Sequence, residues 1–205
     1  PGEHFAYVGD TARFPYGEKS REQLELYSRQ ITAFLEAVPC KLIVVACYSA
    51  TSAALPALQR EFRTPIIGVV MPGARAAVAT SRYRKIGVLA TEATVASGAY
   101  PRAIGGLDSG AEVIQQACPG LVDFIEAGDV ASQALADAVS GFTEPLKARR
   151  PDVVIMGCTH YPLIRPMLQR FLGRDVTLIN PAAEIAREVE AALVRQELER
   201  PGDVM

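Results

Sequence analysis

The chain has few of the residues that build metal centres. Among 205 residues it carries two histidines, His4 and His160, and four cysteines, Cys40, Cys47, Cys118 and Cys158. None of them pairs at CxxC or HxxxH spacing, so no metal site is expected. The N-terminal "PGEHFAYVGD" lacks the charged-then-apolar layout of a secretory signal, and disulfides are not expected without one. No apolar run reaches the roughly 18 residues that a membrane helix needs. With a net charge of −2 and a pI near 5.8, the chain has no basic field to attract nucleic acid or acidic lipid. A cytoplasmic protein with neither nucleic-acid nor membrane partners is the expectation.

Cofactor signatures are missing too. GxGxxG and GxxxxGK[ST] do not occur. The lysines, Lys19, Lys41, Lys85 and Lys147, all lie in surface contexts and offer no place for a pyridoxal Schiff base. A Cys-loop phosphate site wants Arg six residues after the cysteine, where Ile164 stands after Cys158. A Cys–His hydrolase would leave one of two similarly placed cysteines unexplained. Chemistry without a cofactor is the remaining route.

What is present is an alternation of helix and strand. Ser20 and Gln23 form a capping-box pattern, and Leu24, Tyr27, Ile31, Phe34 and Val38 follow at helical spacing. "LIVVA" at 42–46 is short and rich in β-branched residues, as a buried strand is. "TSAALPALQREF" reads as the next helix, and "IIGVV" as the next strand. Strands at 86–90, 111–115, 153–157 and 176–179, with a helix near 95–104, continue the pattern. The fold class is α/β with parallel sheets.

Two stretches repeat one another. "LIVVACYSATSAALPALQREFRTPIIGVVMPGARAA" and "DVVIMGCTHYPLIRPMLQRFLGRDVTLINPAAEIA" both run strand, Cys, helix with Leu-Gln-Arg, strand, then Pro leading a helix. Cys47 and Cys158 are 111 residues apart, the Leu-Gln-Arg triplets 110, and Pro72 and Pro181 109. Such a fixed offset marks a duplicated unit. Two pseudo-symmetric α/β halves are expected, 1–71 plus 180–205 with Cys47 and 72–179 with Cys158. Each offers its Cys where α/β sheets bind ligands, at the carboxyl end of a strand. "EHFAYVGD" matches the strand at 111–118. By the second half's spacing, a strand and a helix should precede it, about 25 residues in all. The first half is therefore expected to lack its first strand, leaving either a fragment or a gap that another chain fills.

Two facing thiols suit proton transfer. Each cysteine is expected just before a helix, where its pKa falls and it can ionise in part. One thiolate can remove a proton from carbon while the other thiol delivers one to the opposite face, inverting the centre. Cys40 precedes its strand and Cys118 lies in "ACPG", so both are read as structural.

"GDTARFPYG", the turn in "VVACYSA", "ATEAT" and "GCTHYPL" together resemble the glutamate racemases of the aspartate/glutamate racemase superfamily. The resemblance covers essentially the whole chain. It implies cofactor-free interconversion of L- and D-glutamate for peptidoglycan synthesis, with glutamate as the small-molecule partner and a homodimer as one arrangement of the family. It places Cys47 and Cys158 as the proton-transfer pair, Cys47 acting on the D-enantiomer and Cys158 on the L-enantiomer. Glu126 and His160 match the polar groups that assist Cys158. Pro15, Tyr16 and Gly17 match a loop that contacts substrate through its backbone. Ser49, Thr91, Thr94 and Thr159 match substrate-binding hydroxyls. Two departures stand out. The family's opening D-S-G strand has no counterpart here, since Asp108–Gly110 lies in a turn before a strand. Tyr48 takes the place of an Asn in the first Cys turn, where its larger ring would project into the pocket. A racemase of another acidic amino acid such as aspartate, or a silent ligand-binding homologue, are the alternatives.

Overall fold

The computed structural model describes residues 3–200; the outermost residues assigned to the first half, 1–2 and 201–205, lie outside them. The elements run α1 (Arg21–Ala37), β1 (Ile43–Val45), α2 (Tyr48–Glu61), β2 (Ile66–Gly68), α3 (Val70–Thr80), β3 (Lys85–Ala90), α4 (Glu92–Ser97), α5 (Ala99–Leu107), β4 (Glu112–Ala117), α6 (Leu121–Glu126), α7 (Gln133–Arg149), β5 (Val153–Gly157), α8 (Arg165–Leu172), β6 (Thr177–Ile179) and α9 (Ala182–Arg195). Gly98, at φ +64°, separates α4 from α5 inside what the sequence suggests is one helix.

All strand pairing is parallel. A four-stranded sheet has the order β4-β3-β5-β6, and a two-stranded sheet holds β1 and β2. The larger sheet is covered on both faces, which is why β3 and β5 read as unbroken apolar runs. Side chains alternate across it. Ile86, Val88, Val153 and Ile155 meet Val70, Ala74 and Ala77 of α3 and Ile104 of α5 on one face. Leu89, Val154 and Met156 meet Leu135, Val139 and Leu146 of α7 and Leu168 of α8 on the other. Burying Val, Leu and Ile side chains is worth about 1.5–3 kcal/mol each, so this sheet anchors the molecule. The smaller sheet packs Ile43 and Ile66 on Ala54 and Leu58 of α2.

The repeat is visible in single side chains. Gln59 of the first Leu-Gln-Arg donates to the Ile66 carbonyl at 2.8 Å, tying α2 to the start of β2. Gln169 of the second donates to the Val176 carbonyl at 2.9 Å, tying α8 to the approach of β6. The same amide does the same work in both halves.

Three expectations change. "EHFAYVGD" forms no strand, because no strand among the described residues lies between it and β1 to receive its hydrogen bonds. The capping box of α1 is present, but the buried face is Leu24, Ser28 and Thr32, turned from the apolar spacing, and Phe34 faces solvent. Small hydroxyl residues let α1 lie close to α2, and that contact outweighs the apolar periodicity. Cys47 is the N-cap of α2 as expected, but Cys158 leads into a 3-10 turn, Tyr161–Ile164, before α8. Pro162 and Pro166 lack the amides that a regular helix there would use.

Replacing Gln59 by Ala should cost about 1 kcal/mol, the net worth of one such hydrogen bond, and Gln169→Ala, which also loses a bond to the Gly173 carbonyl, should cost at least as much. Urea unfolding should show the two losses to be additive, because the sites share no partner.

Candidate active site

Both cysteines stand where the sequence puts them, one or two residues past a strand end. Around Cys47 the α2 amides of Ser49 and Ala50 point at the sulfur, and the Ser49 hydroxyl adds a further donor. Burial nonetheless pushes the Cys47 thiol up, outweighing those donors. Cys158 is 6% exposed. Burial pushes it up to about 12, against the amides of His160 and Tyr161, and a negative charge on Cys47 raises it further. Cys158 therefore lies within electrostatic reach of Cys47. The expected lowering at helix starts is thus reversed: the pocket is dry enough that both groups rest as thiols, and a charge on one disfavours charge on the other.

Three of the four candidate hydroxyl residues form one cluster, and Thr159 stands apart beside His160. Ser49 and Thr91 share a hydrogen bond of 2.8 Å, Thr91 donates to Thr94 at 3.0 Å, and Ser49 and Thr94 stand 3.5 Å apart. Thr91 is the N-cap of α4, which fixes its rotamer toward Ser49. This buried cluster bridges the two sheets, because Ser49 follows β1 and Thr91 follows β3. Gly17 lies against it: a Cβ at that position would come within 2.8 Å of the Thr91 side chain. The loop carrying Pro15, Tyr16 and Gly17 is thereby pressed onto the hydroxyls, and only Gly allows the approach.

On the Cys158 side a chain of polar groups runs outward. The sulfur lies 3.6 Å from His160 Nδ1, and His160 Nε2 meets Glu126 Oε1 at 2.5 Å. Thr159 Oγ1 is 3.3 Å from the same Nδ1. Glu126 sits at the end of α6, so a carboxylate orients an imidazole that faces a thiol, with the roles of the ring nitrogens set by the tautomer.

Other features were not legible in the sequence. The Tyr16 side chain, credited beforehand only through its backbone, donates to Asp10 at 2.5 Å, and Arg13 pairs with the same carboxylate at 2.8 Å. Arg13 also lies over the Tyr27 ring and donates to Gln30, which fastens the loop to α1. Phe14 reaches the other half and packs its ring 6.2 Å from that of His160. The Asp and Arg of "GDTARFPYG" were the available signal, but nothing in one dimension says that they clamp Tyr16. Tyr48 is 6% exposed and packs into the core of the larger sheet, its phenol raised by burial and by the negative charge that Cys158 can carry. With Cys158, Thr159 and Pro162 it lines a cavity of about 370 Å³. Cys118 is buried core, and Cys40 donates to the Leu35 carbonyl. Among the described residues no cluster of His, Cys, Asp and Glu can hold a metal, and no helix is long and apolar enough to cross a membrane.

Two parallel sheets, each with a cysteine just past a strand end and joined by a buried hydroxyl cluster, define the architecture of an amino-acid racemase. The profile of the Asp/Glu/Hydantoin racemase family matches residues 2–189, and the chain belongs to that family. It is 44% identical over 193 residues to a glutamate racemase of Lactiplantibacillus plantarum, covering 94% of this chain and 71% of that one. A glutamate racemase of Listeria monocytogenes is equally similar, with 73% of its length covered. Among solved structures, glutamate racemase isoform RacE1 from Bacillus anthracis superposes with a TM-score of 0.89 at 39% identity, covering 94% of this chain and 72% of that one. The glutamate racemase from Francisella tularensis, in complex with D-glutamate, gives 0.89 at 29% identity, covering 95% and 73%.

The Cys158 thiol has a pH signature. Its folded pKa is raised, so below the unfolded value of 9.0 it is protonated in both states and neutral to stability. Between pH 9.0 and about 12 only the unfolded state ionises, and stability falls with rising pH. Urea unfolding of the wild type against Cys158→Ser should therefore show the wild type losing ground by about 1.4 kcal/mol per pH unit in that window, and by nothing below it.

Proposed function

We propose that the chain interconverts L- and D-glutamate by two-thiol proton transfer, the step that supplies D-glutamate for peptidoglycan. The observation that supports this reading is the placement of Cys47 and Cys158, each within two residues of a strand end and capped by amides of the next turn, with the Ser49–Thr91–Thr94 hydroxyl cluster donating to Cys47 through Ser49. The site lies between the two proposed halves, with Cys47 in the first and Cys158 in the second.

Substrate enters the cleft with its carboxylate toward those hydroxyls and toward the loop at Pro15–Gly17. Its α-ammonium, brought close to the sulfurs, favours ionisation of one of them, and the amides of Ser49 and Ala50 or of His160 and Tyr161 hold the resulting thiolate. Cys47 takes the α-proton from the D-enantiomer while Cys158 delivers one to the opposite face; the L-enantiomer reverses the roles. His160, oriented by Glu126, holds and relays the proton on the Cys158 side, and Thr159 steadies the imidazole. No cofactor is required, since the protons that leave and arrive are carried by sulfur.

Tyr48 favours a second reading. Its ring stands against Cys158 where the resembling enzymes carry an amide, so the site would hold an acidic amino acid such as glutamate or aspartate with little turnover.

In deuterated water, the wild type should wash deuterium into the α-position of either glutamate enantiomer. Cys47→Ala and Cys158→Ala should each lower net racemisation by at least about a thousandfold, a scale set by the 10²–10⁴-fold worth of a positioned proton-transfer group. Free racemisation by Cys158→Ala would sink the two-thiol scheme.

Tyr48→Asn separates the two readings. Unchanged glutamate binding with a rise in exchange rate would mark the ring as an obstruction and support the second. A fall in both would show that Tyr48 belongs to a working site. Aspartate run beside glutamate reports any change in substrate preference.

A further inference from the structure

The imidazole beside Cys158 is loosely held by its own half. His160 Nδ1 stands 3.6 Å from the Cys158 sulfur and 3.3 Å from Thr159 Oγ1. A small turn of the ring therefore decides which of the two it bonds. Nε2 meets Glu126, whose side chain is 52% exposed and closes the six-residue α6. A contact so open to water does little to hold two side chains in one geometry. The second half thus supplies partners for both ring nitrogens without fixing the tilt of the ring between them.

Phe14 comes to that ring from the first half. Its ring centroid lies 6.2 Å from that of His160, at an interplanar angle of 52°, a tilted aromatic contact. Phe14 is 40% exposed and belongs to none of the apolar clusters of the core, so packing stability does not account for its place. Its backbone, by contrast, is held on both sides. Arg13 before it pairs with Asp10, donates to Gln30 and lies over Tyr27. Beyond Pro15, Tyr16 donates to the same Asp10, and Gly17 lies against Thr91. A fastened loop thus carries an exposed ring across to an imidazole that lacks a fixed tilt.

We propose that Phe14 is a positioning residue for His160. Its ring confines the imidazole to the tilt at which Nδ1 reaches Cys158 rather than turning to Thr159, and it does so only while the loop is seated. Phe14 directly precedes Pro15, where the loop lies along the cleft. Seating of the loop on substrate is thereby passed to the proton-transfer group of the opposite half, and an open loop leaves Cys158 without its imidazole. This role in turnover rests on the racemase reading, whereas the contact and its effect on the imidazole do not.

The chain has two histidines, which makes the test direct. His4, bonded to Arg200, supplies the reference signal in a proton and nitrogen resonance spectrum of the full chain. Cross-relaxation should join the Phe14 ring protons to those of His160. Phe14→Leu should shift the Hε1 and ring-nitrogen resonances of His160 and leave those of His4 in place, and Phe14→Tyr should restore them. Asp10→Asn, which loosens the loop without touching His160, should move the His160 resonances as Phe14→Leu does. With glutamate, Phe14→Leu should lower kcat about tenfold and change KM little, within the cost of a misplaced reacting group. In a His160→Ala background the same substitution should have no further effect, because it acts through the imidazole. Absence of cross-relaxation, or His160 resonances that Phe14→Leu leaves unmoved, would overturn the proposal. So would a loss of rate as large without His160 as with it, since the ring would then act on the fold or on substrate. The spectra need no turnover: a chain that racemises nothing sinks the racemase reading, while His160 still reports on Phe14.

Discussion

Everything in the cleft depends on holding two thiols in a dry place without letting both ionise. Parallel strands end abruptly, and each cysteine stands within two residues of such an end, where amides of the next turn converge on its sulfur. Burial works against those amides and prevails, so the resting state is two neutral thiols. The coupling between the sulfurs makes single ionisation the only charged state that the site favours. Desolvation and repulsion thus exclude the double thiolate, and the proposed proton exchange starts from a neutral pair in which only one sulfur ionises at a time.

The duplication supplies this pair, but it does not make the two sides alike. Cys158 looks outward through His160 to Glu126, a chain able to pass a proton. On the Cys47 side the nearest comparable network is Tyr16, Asp10 and Arg13. That network ends in a guanidinium and fastens a loop, and the Tyr16 phenol is raised by burial first and by its bond to Asp10 second. One sulfur therefore faces an imidazole held by a carboxylate, and the other a loop held by a carboxylate and a guanidinium. The loop joins the two sides, since it presses Gly17 on Thr91 and Phe14 on His160. Movement of that loop would disturb both cysteines at once.

Much of this was legible because the relevant signals are local. Short apolar runs gave the strands of both sheets, and the register of the repeat matched Cys47 with Cys158. The Leu-Gln-Arg match proved to be a structural bond, with Gln59 and Gln169 each closing a helix onto the next strand. Contacts between distant segments were not legible. The α1 face turned toward Ser28 and Thr32 because packing on α2 overrode apolar spacing. Residues 3–10 carry a strand's pattern but form none, since a pattern records what a segment can pair with and not whether the partner lies beside it. The thiol pKa values went the opposite way from the helix-start expectation, because sequence shows the amides but not the depth of burial.

Tyr48 ties these threads together. It follows Cys47 directly in sequence, yet its ring belongs to the core of the other half and its phenol senses Cys158. A side chain so placed couples the two halves mechanically, because any opening of the cleft must withdraw an aromatic ring from a packed core. Burying a ring of that size contributes on the order of 2–3 kcal/mol, comparable to the cost of a domain opening that a small substrate can drive. An amide at the same place would leave the halves free to part more easily and would offer a substrate both a donor and an acceptor. With tyrosine there, the polar groups left for the proposed chemistry are the thiols, the three hydroxyls and the His160–Glu126 pair.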